Sequence, residues 1–191
     1  MYNLTRQIVL IGLALSFFAR AGIGSPESQS LRQTELRDSL TQMGEYRFVY
    51  RMFFKLYDVA LFSDSSADID ADSLLDGSNR VYLEFDYLRK IDKSMILKSS
   101  KSIIPKNMSD AEFASINDRV RMINEAYRTV GKGDRSALSF IPGQGTTLWI
   151  NEEAVLTVPG EDFARLYFRI WLGPAPISEK MRDALLEGEG A

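Results

Sequence analysis

From Arg80 to Tyr87 the side chains alternate with period two. Val81, Leu83, Phe85 and Tyr87 fall on one face, and Arg80, Tyr82, Glu84 and Asp86 on the other, which predicts a half-exposed strand. Upstream, residues 44–62 are a near-continuous run of aromatic and β-forming residues. The run is too long for one strand and predicts two adjacent strands or a bent hairpin, buried on both faces. An acidic connection, residues 64–79, separates the two patterns, with a helical turn at 72–75. Beyond Tyr87 the period becomes helical. Residues 92–104 form the first helical stretch. The second opens at Ser109, which makes a capping box with Glu112. Phe113, Ile116, Val120, Ile123 and Tyr127 follow in steps of three and four as one apolar stripe.

Gly131-Lys132-Gly133-Asp134 ends that helix, and three strand-like pieces follow at 137–141, 146–151 and 154–158. Gly143-Gln144-Gly145 and Asn151-Glu152-Glu153 supply the turns. Pro159-Gly160 breaks the last strand, and a helix over 161–172 stops at Gly173-Pro174. A final helix starts at Ser178 as its cap and runs through Met181, Leu185 and Leu186. Strands, helices, strands, helices is not the alternation of a parallel sheet. The order predicts an α+β fold with a large, mostly antiparallel sheet.

Composition adds most at the N-terminus. The chain has 191 residues, 45% of them hydrophobic and 26% charged, ordinary values for one globular domain. Arg6 precedes an apolar run over residues 8–18, and Ala19-Arg20-Ala21 has the small-x-small form of a cleavage site. These features predict a signal peptide over residues 1–21, cut after Ala21. The run is shorter than the roughly 20 apolar residues of a spanning helix, so no transmembrane segment is expected in the mature chain. Residues 22–34 are small and polar and read as a flexible start, with a single domain over 35–191. Removing Arg6 and Arg20 and no acid takes the formal charge from −3 to −5. That balance argues against nucleic acid as a partner and gives no pull toward anionic membranes.

The chain has no His and no Cys. This excludes His- or Cys-based nucleophiles, His or Cys zinc sites and a histidine switch, and no cofactor or metal is expected. Asp68, Asp70, Asp72 and Asp76 resemble the start of a calcium loop, but Ser73 stands at the turn Gly and Asn79 at the final Glu. A solvated acidic loop is the expectation. Gly143-x-Gly145 is read as a hairpin turn, since it lacks the Lys and helix of a phosphate loop. Arg47 and Arg51, four apart in the aromatic run, face the same way on a strand. Each either anchors an anion at the mouth of an apolar pocket or pairs with a structural acid. Tyr57 and Tyr87 either bond a ligand oxygen beside that Arg or pack as core tyrosines with hydroxyls at the rim. Trp171 is read as core.

Three stretches also resemble, in order, the chalcone isomerase-like family in its exported bacterial branch: Phe53-Phe54-Lys55-Leu56-Tyr57-Asp58-Val59-Ala60-Leu61-Phe62, Gly133-Asp134 through Pro142-Gly143-Gln144-Gly145 to Asn151, and Val158 through Pro174. The resemblance implies an open-faced sandwich, a large antiparallel sheet covered on one side by helices, and a periplasmic location. It implies either ring closure of chalcones, as in the plant enzymes, or binding of fatty acids through an Arg and a Tyr, as in non-catalytic members. Arg47 best matches the family's Arg. Tyr57 replaces its active-site Thr, Asp92-Lys93-Ser94-Met95 holds no counterpart of its catalytic-water Tyr, and Ile170 replaces a hydroxyl residue. The first reading is thus a non-catalytic periplasmic protein binding a small apolar or amphiphilic ligand such as a fatty acid through Arg47, Tyr57 and Tyr87. The alternatives are an isomerase or intramolecular lyase acting on an enone, and an envelope interaction protein with a vestigial pocket.

Overall fold

The computed structural model describes residues 26–65 and 69–187. The stretch read as a signal peptide lies outside the described residues, as does Asp68. The elements run α1 (Pro26–Asp38), β1 (Thr41–Tyr50), β2 (Phe54–Ser63), α2 (Ala71–Leu74), β3 (Val81–Tyr87), α3 (Lys93–Asn107), α4 (Asp110–Ala126), β4 (Arg135–Ile141), β5 (Gly145–Ile150), β6 (Glu153–Val158), α5 (Glu161–Tyr167), α6 (Arg169–Leu172) and α7 (Glu179–Glu187). The six strands form one antiparallel sheet in chain order. α3 and α4 are inserted between the adjacent strands β3 and β4. The expected capping box at Ser109 and Glu112 opens α4 with both of its hydrogen bonds, and its stripe meets the sheet: Ile116 and Ile123 are fully buried.

One face of the sheet carries the main core. Val59, Leu61, Leu83, Leu138 and Leu148 meet Ile116, Ile123, Phe163 and Leu166 from the helices. The opposite face carries a smaller core of Phe62, Tyr82, Ala137 and Trp149, against which Leu36 and Leu40 pack. This second layer corrects two expectations. Over residues 26–34 the chain is helical rather than a flexible start, and α1 lies on the face of the sheet opposite the other packed helices. Tertiary partners override its weak local pattern: Gln33 Nε2 donates to the Tyr82 hydroxyl at 2.7 Å, and the Arg37 guanidinium lies 4.5 Å over the Phe62 ring. For the same reason β3 is buried on both faces, not half exposed.

Residues 44–62 form the expected hairpin, but β1 is an edge strand rather than a central one. Its Arg47, Val49 and Tyr50 are exposed. The helix expected over 161–172 is two short ones with Phe168 between them, fully buried. Arg119 of α4 holds the start of α5, its guanidinium donating to Asp162 at 2.8 and 2.5 Å and to the Pro159 carbonyl at 3.2 Å.

α7 closes the β1 end of the main core. A register shift between Gln42 and Gly44 presents Gly44 to the last helix. A Cβ at Gly44 would collide with the Ala184 and Leu185 carbonyl oxygens. Replacing Gly44 by Ala therefore forces strand and helix apart and should cost about 2–3 kcal/mol, read as a lower urea midpoint by circular dichroism. An unchanged midpoint would mean that α7 does not seat on β1.

Candidate functional site

The antiparallel register sets Tyr57 opposite Tyr87 and Phe85 opposite Ser136. All four side chains point to the main core at one end of the sheet, where they form one wall of a cavity of about 110 Å³. Ile96 and Ser100 of α3, Tyr127 just after α4, and Ile170 and Trp171 of α6 close it. The wall is a set of touching rings: Phe48 stacks on Tyr57 at 5.1 Å, Tyr57 meets Phe85 edge-on at 5.4 Å and Tyr87 at 6.1 Å, and Phe85 lies 5.5 Å from Trp171. The lining residues that reach solvent are Met95 and, in part, Phe48, Leu56, Ile96, Ser99 and Ile177. The cavity therefore opens between the β1–β2 hairpin and the first turns of α3.

No lining side chain carries a formal charge. Its polar groups are hydroxyls. Those of Tyr87 and Ser136 share a hydrogen bond of 2.8 Å, and Ser100 donates to the Ile96 carbonyl at 3.1 Å. The Tyr57 hydroxyl makes no hydrogen bond among the described residues, although the residue is only 8% exposed. Behind the wall, the fully buried Tyr167 hydroxyl lies beside Tyr127 and Ser100 without a well-formed bond. Burial disfavours every phenolate here. It raises Tyr57 and Tyr127 well above the ordinary phenol range, and it pushes Tyr87 up to about 12 against the Ser136 hydrogen bond, which works the other way. At neutral pH these phenols donate hydrogen bonds but do not take up protons.

The chalcone isomerase-like family model matches residues 19–187. The chain belongs to the chalcone isomerase-like family. Among solved structures, a fatty-acid-binding protein of Arabidopsis thaliana superposes with a TM-score of 0.59 at 13% identity, over 78% of this chain and 88% of that one. Such identity speaks for the shared fold alone. Comparison with curated proteins gives no match.

Within this chalcone isomerase-like sheet the expected site residues divide. Tyr57 and Tyr87 meet at the cavity. Arg47 does not join them. On β1 it is Phe48 that stands opposite Tyr57, while Arg47 stands opposite Asp58. One residue along a strand reverses the face, so Arg47 projects from the other side of the sheet. There its guanidinium forms a bidentate pair with Asp58, at 2.6 and 2.8 Å, which holds the Asp58 carboxyl below the usual carboxylate range. It lines a polar cleft whose other guanidiniums are also paired: Arg135 with Asp86 at 2.7 Å and Arg37 with Glu84 at 3.5 Å. Arg47 is thus the paired structural Arg of the two readings. Arg51 does not share its face, because a register shift at Phe48/Val49 and the turn itself intervene. It lies 5.3 Å over the Tyr50 ring.

The acidic loop is also accounted for. Asp70 caps α2 through Ser73, Asp72 pairs with Arg169 at 3.3 Å, and Asp76 binds Ser78. Sequence reasoning missed Ser100, Ser136 and Tyr127 as cavity residues. Ser100 carried a signal, a small hydroxyl set among the apolar Ile96, Ile103 and Ile104 of a helix.

A buried phenol raised above its unfolded value of about 10 stabilises the fold fully below that pH, and its contribution is lost as pH rises toward the folded value. The urea midpoint should therefore fall between pH 10 and about 12, the folded value for Tyr87, and Tyr87→Phe should remove part of that fall. A Tyr87→Phe profile identical to the parent's would mean that the phenol is solvated.

Proposed function

We propose that this protein is a non-catalytic binder that holds a small apolar or amphiphilic ligand in the cavity between the sheet and α3, and that it works in the periplasm after export. One observation carries the reading: an uncharged, ring-lined cavity contains the hydroxyl of Tyr57, which has no hydrogen-bond partner among the described residues. A ligand oxygen placed against it accepts a hydrogen bond worth about 0.5–1.5 kcal/mol net. The shared fold with a fatty-acid-binding protein supports the class of function. Two facts speak for binding over isomerisation. The phenols stay protonated at neutral pH, and Arg47, the cation expected to polarise an enone, faces away from the cavity.

Size narrows the ligand. The cavity of about 110 Å³ is below the roughly 300–1,000 Å³ of a site for drug-sized ligands and near that of an apolar hole which accepts benzene. A ring or the end of an acyl chain fits inside. The carboxylate of a fatty acid then sits at the mouth, near Ser99 and Met95, rather than on Arg47. Export rests on the basic start, short apolar run and Ala19-Arg20-Ala21 of the N-terminus.

Native mass spectrometry of the protein from the periplasm should show a chain beginning at Gly22 with a small organic molecule bound. In titrations with decanoic acid and with indole, Ser100→Leu, which fills the cavity, should weaken binding of at least one by about tenfold or more, and Arg47→Ala should leave it unchanged. A clean apo mass together with no response to Ser100→Leu would sink the cavity as a site.

A further inference from the structure

The turn between β1 and β2 is built from side chains that neither the core nor the cavity uses. Met52 is 87% exposed and Phe53 82%, and their neighbours Tyr50 and Phe54 are each 45% exposed. Met95, at the cavity mouth, is half exposed. Among the described residues, Met122 is the one exposed large hydrophobic residue outside the hairpin end and Met95. A contiguous patch of this kind on a soluble protein marks an interaction surface. The backbone supports the same conclusion. Arg51 and Met52 are left-handed, with φ of 49° and 62°, where Gly or Asn avoids the clash of a Cβ. The β5–β6 turn uses Asn151 at the first of the two left-handed places and a polar residue, Glu152, at the second. At the β1–β2 tip, large side chains are kept against that preference and then left in water.

The charge around the tip is of one sign. The Arg89 guanidinium lies 5.0 Å over the Phe54 ring. Lys55, Arg89 and Lys132 gather around Phe53, with the Asp58-paired Arg47 beside them, in a surface pocket without a single acid in its lining. None of the three forms an ion pair among the described residues, and the acid next along β2, Asp58, is taken by Arg47. The whole chain is acidic, at −3, but charges act within roughly 10 Å in physiological salt, so the local cluster decides what this end attracts.

We propose that the β1–β2 tip docks on an anionic phospholipid bilayer. Met52 and Phe53 enter the acyl boundary, Tyr50 and Phe54 lie at headgroup level, and Lys55, Arg89 and Lys132 meet the headgroup phosphates. The shape favours a bilayer over a protein partner, since a projecting turn offers no groove to be filled. It disfavours a second copy of this chain, since a two-fold contact through the tip would bring like clusters of cations together. The mouth of the cavity lies between Phe48 and Leu56 of the same hairpin and Met95, so docking brings the mouth close to the membrane. Docking goes beyond the binding role and does not require the cavity to be filled.

The test uses the full chain carrying Phe53→Trp. Trp149 is buried away from the cavity but Trp171 lines it, so the response of the unsubstituted chain is subtracted and the difference reports on position 53. Adding vesicles of phosphatidylglycerol and phosphatidylethanolamine should shift emission to the blue, and brominated acyl chains should quench it. Unmoved emission overturns the proposal, including the case in which some other segment, such as residues 1–21, brings the protein to the vesicle. In co-sedimentation, Met52→Ser/Phe53→Ser and Lys55→Glu/Arg89→Glu should each lower partitioning by about tenfold or more, as should pure phosphatidylcholine vesicles. Partitioning insensitive to both pairs overturns it. A dimer in analytical ultracentrifugation that the Met52→Ser/Phe53→Ser pair dissolves, without vesicle binding by the parent, overturns it in favour of self-association. Ligand affinity in vesicle-free solution should be the same for these variants as for the parent, which keeps failure of docking distinct from failure of the cavity.

Discussion

A continuous run of aromatic rings ties the helices to the sheet. Phe163 stacks on Tyr167 at 5.0 Å, Tyr167 meets Trp171 at 5.9 Å, and Trp171 meets Phe85 at 5.5 Å. From Phe85 the run continues to Tyr57 and then to Phe48 on the edge strand. Steps of four along α5 and α6 supply the first three rings, and three adjacent strands supply the rest. Each contact contributes about 1 kcal/mol beyond its buried area, but its larger effect is geometric. Rigid flat rings fill space less completely than branched aliphatic chains. The cavity lies where this run passes between the sheet and α3, whose facing residue is a serine.

The sheet also separates two kinds of chemistry. On the main-core side at this end there are rings and hydroxyls. On the other side, directly behind them, Arg47, Asp58, Asp86 and Arg135 lie in one charged cleft. Alternation along β3 and β4 makes the division: Phe85, Tyr87 and Ser136 line the cavity, while Asp86 and Arg135 between and beside them line the cleft. The ion pairs behind the wall satisfy one another. They hold β1, β2, β3 and β4 in register from the far face and leave the cavity uncharged.

Much of this was legible in the chain. The capping box at Ser109, the stripe from Phe113 to Tyr127, the period-two run of β3 and the turns at Gly143-Gln144-Gly145 and Asn151-Glu152-Glu153 are local patterns with local causes. α1 was not legible, because what holds it is Tyr82, 49 residues from Gln33, and no window of its own sequence carries that partner. The place of Arg47 was misread for a related reason. Its residue type and neighbourhood were right for an anchor, but its face depends on a register shift beside it that spacing does not reveal. Tyr57 and Tyr87 were legible because they share the phase of Val59, Leu61, Leu83 and Phe85. Their partner Ser136 was not, since a serine in a strand gives no sign of which buried hydroxyl it will meet.

The seat of α7 against Gly44 bears on the order in which the fold is completed. The β1–β2 hairpin is local and can form early, but the helix that covers its strand comes from the other end of the described chain. Contacts so distant in sequence form slowly, after the loops between them have been closed. A chain that folds as it emerges N-terminus first, as during export, therefore holds a paired but uncovered edge strand until α7 arrives. Charged residues on an edge are the usual guard against pairing with a neighbour, and Glu45 and Arg47 occupy that position on β1. The Arg47–Asp58 pair thus keeps charge on the edge strand during the interval before the last helix can cover it.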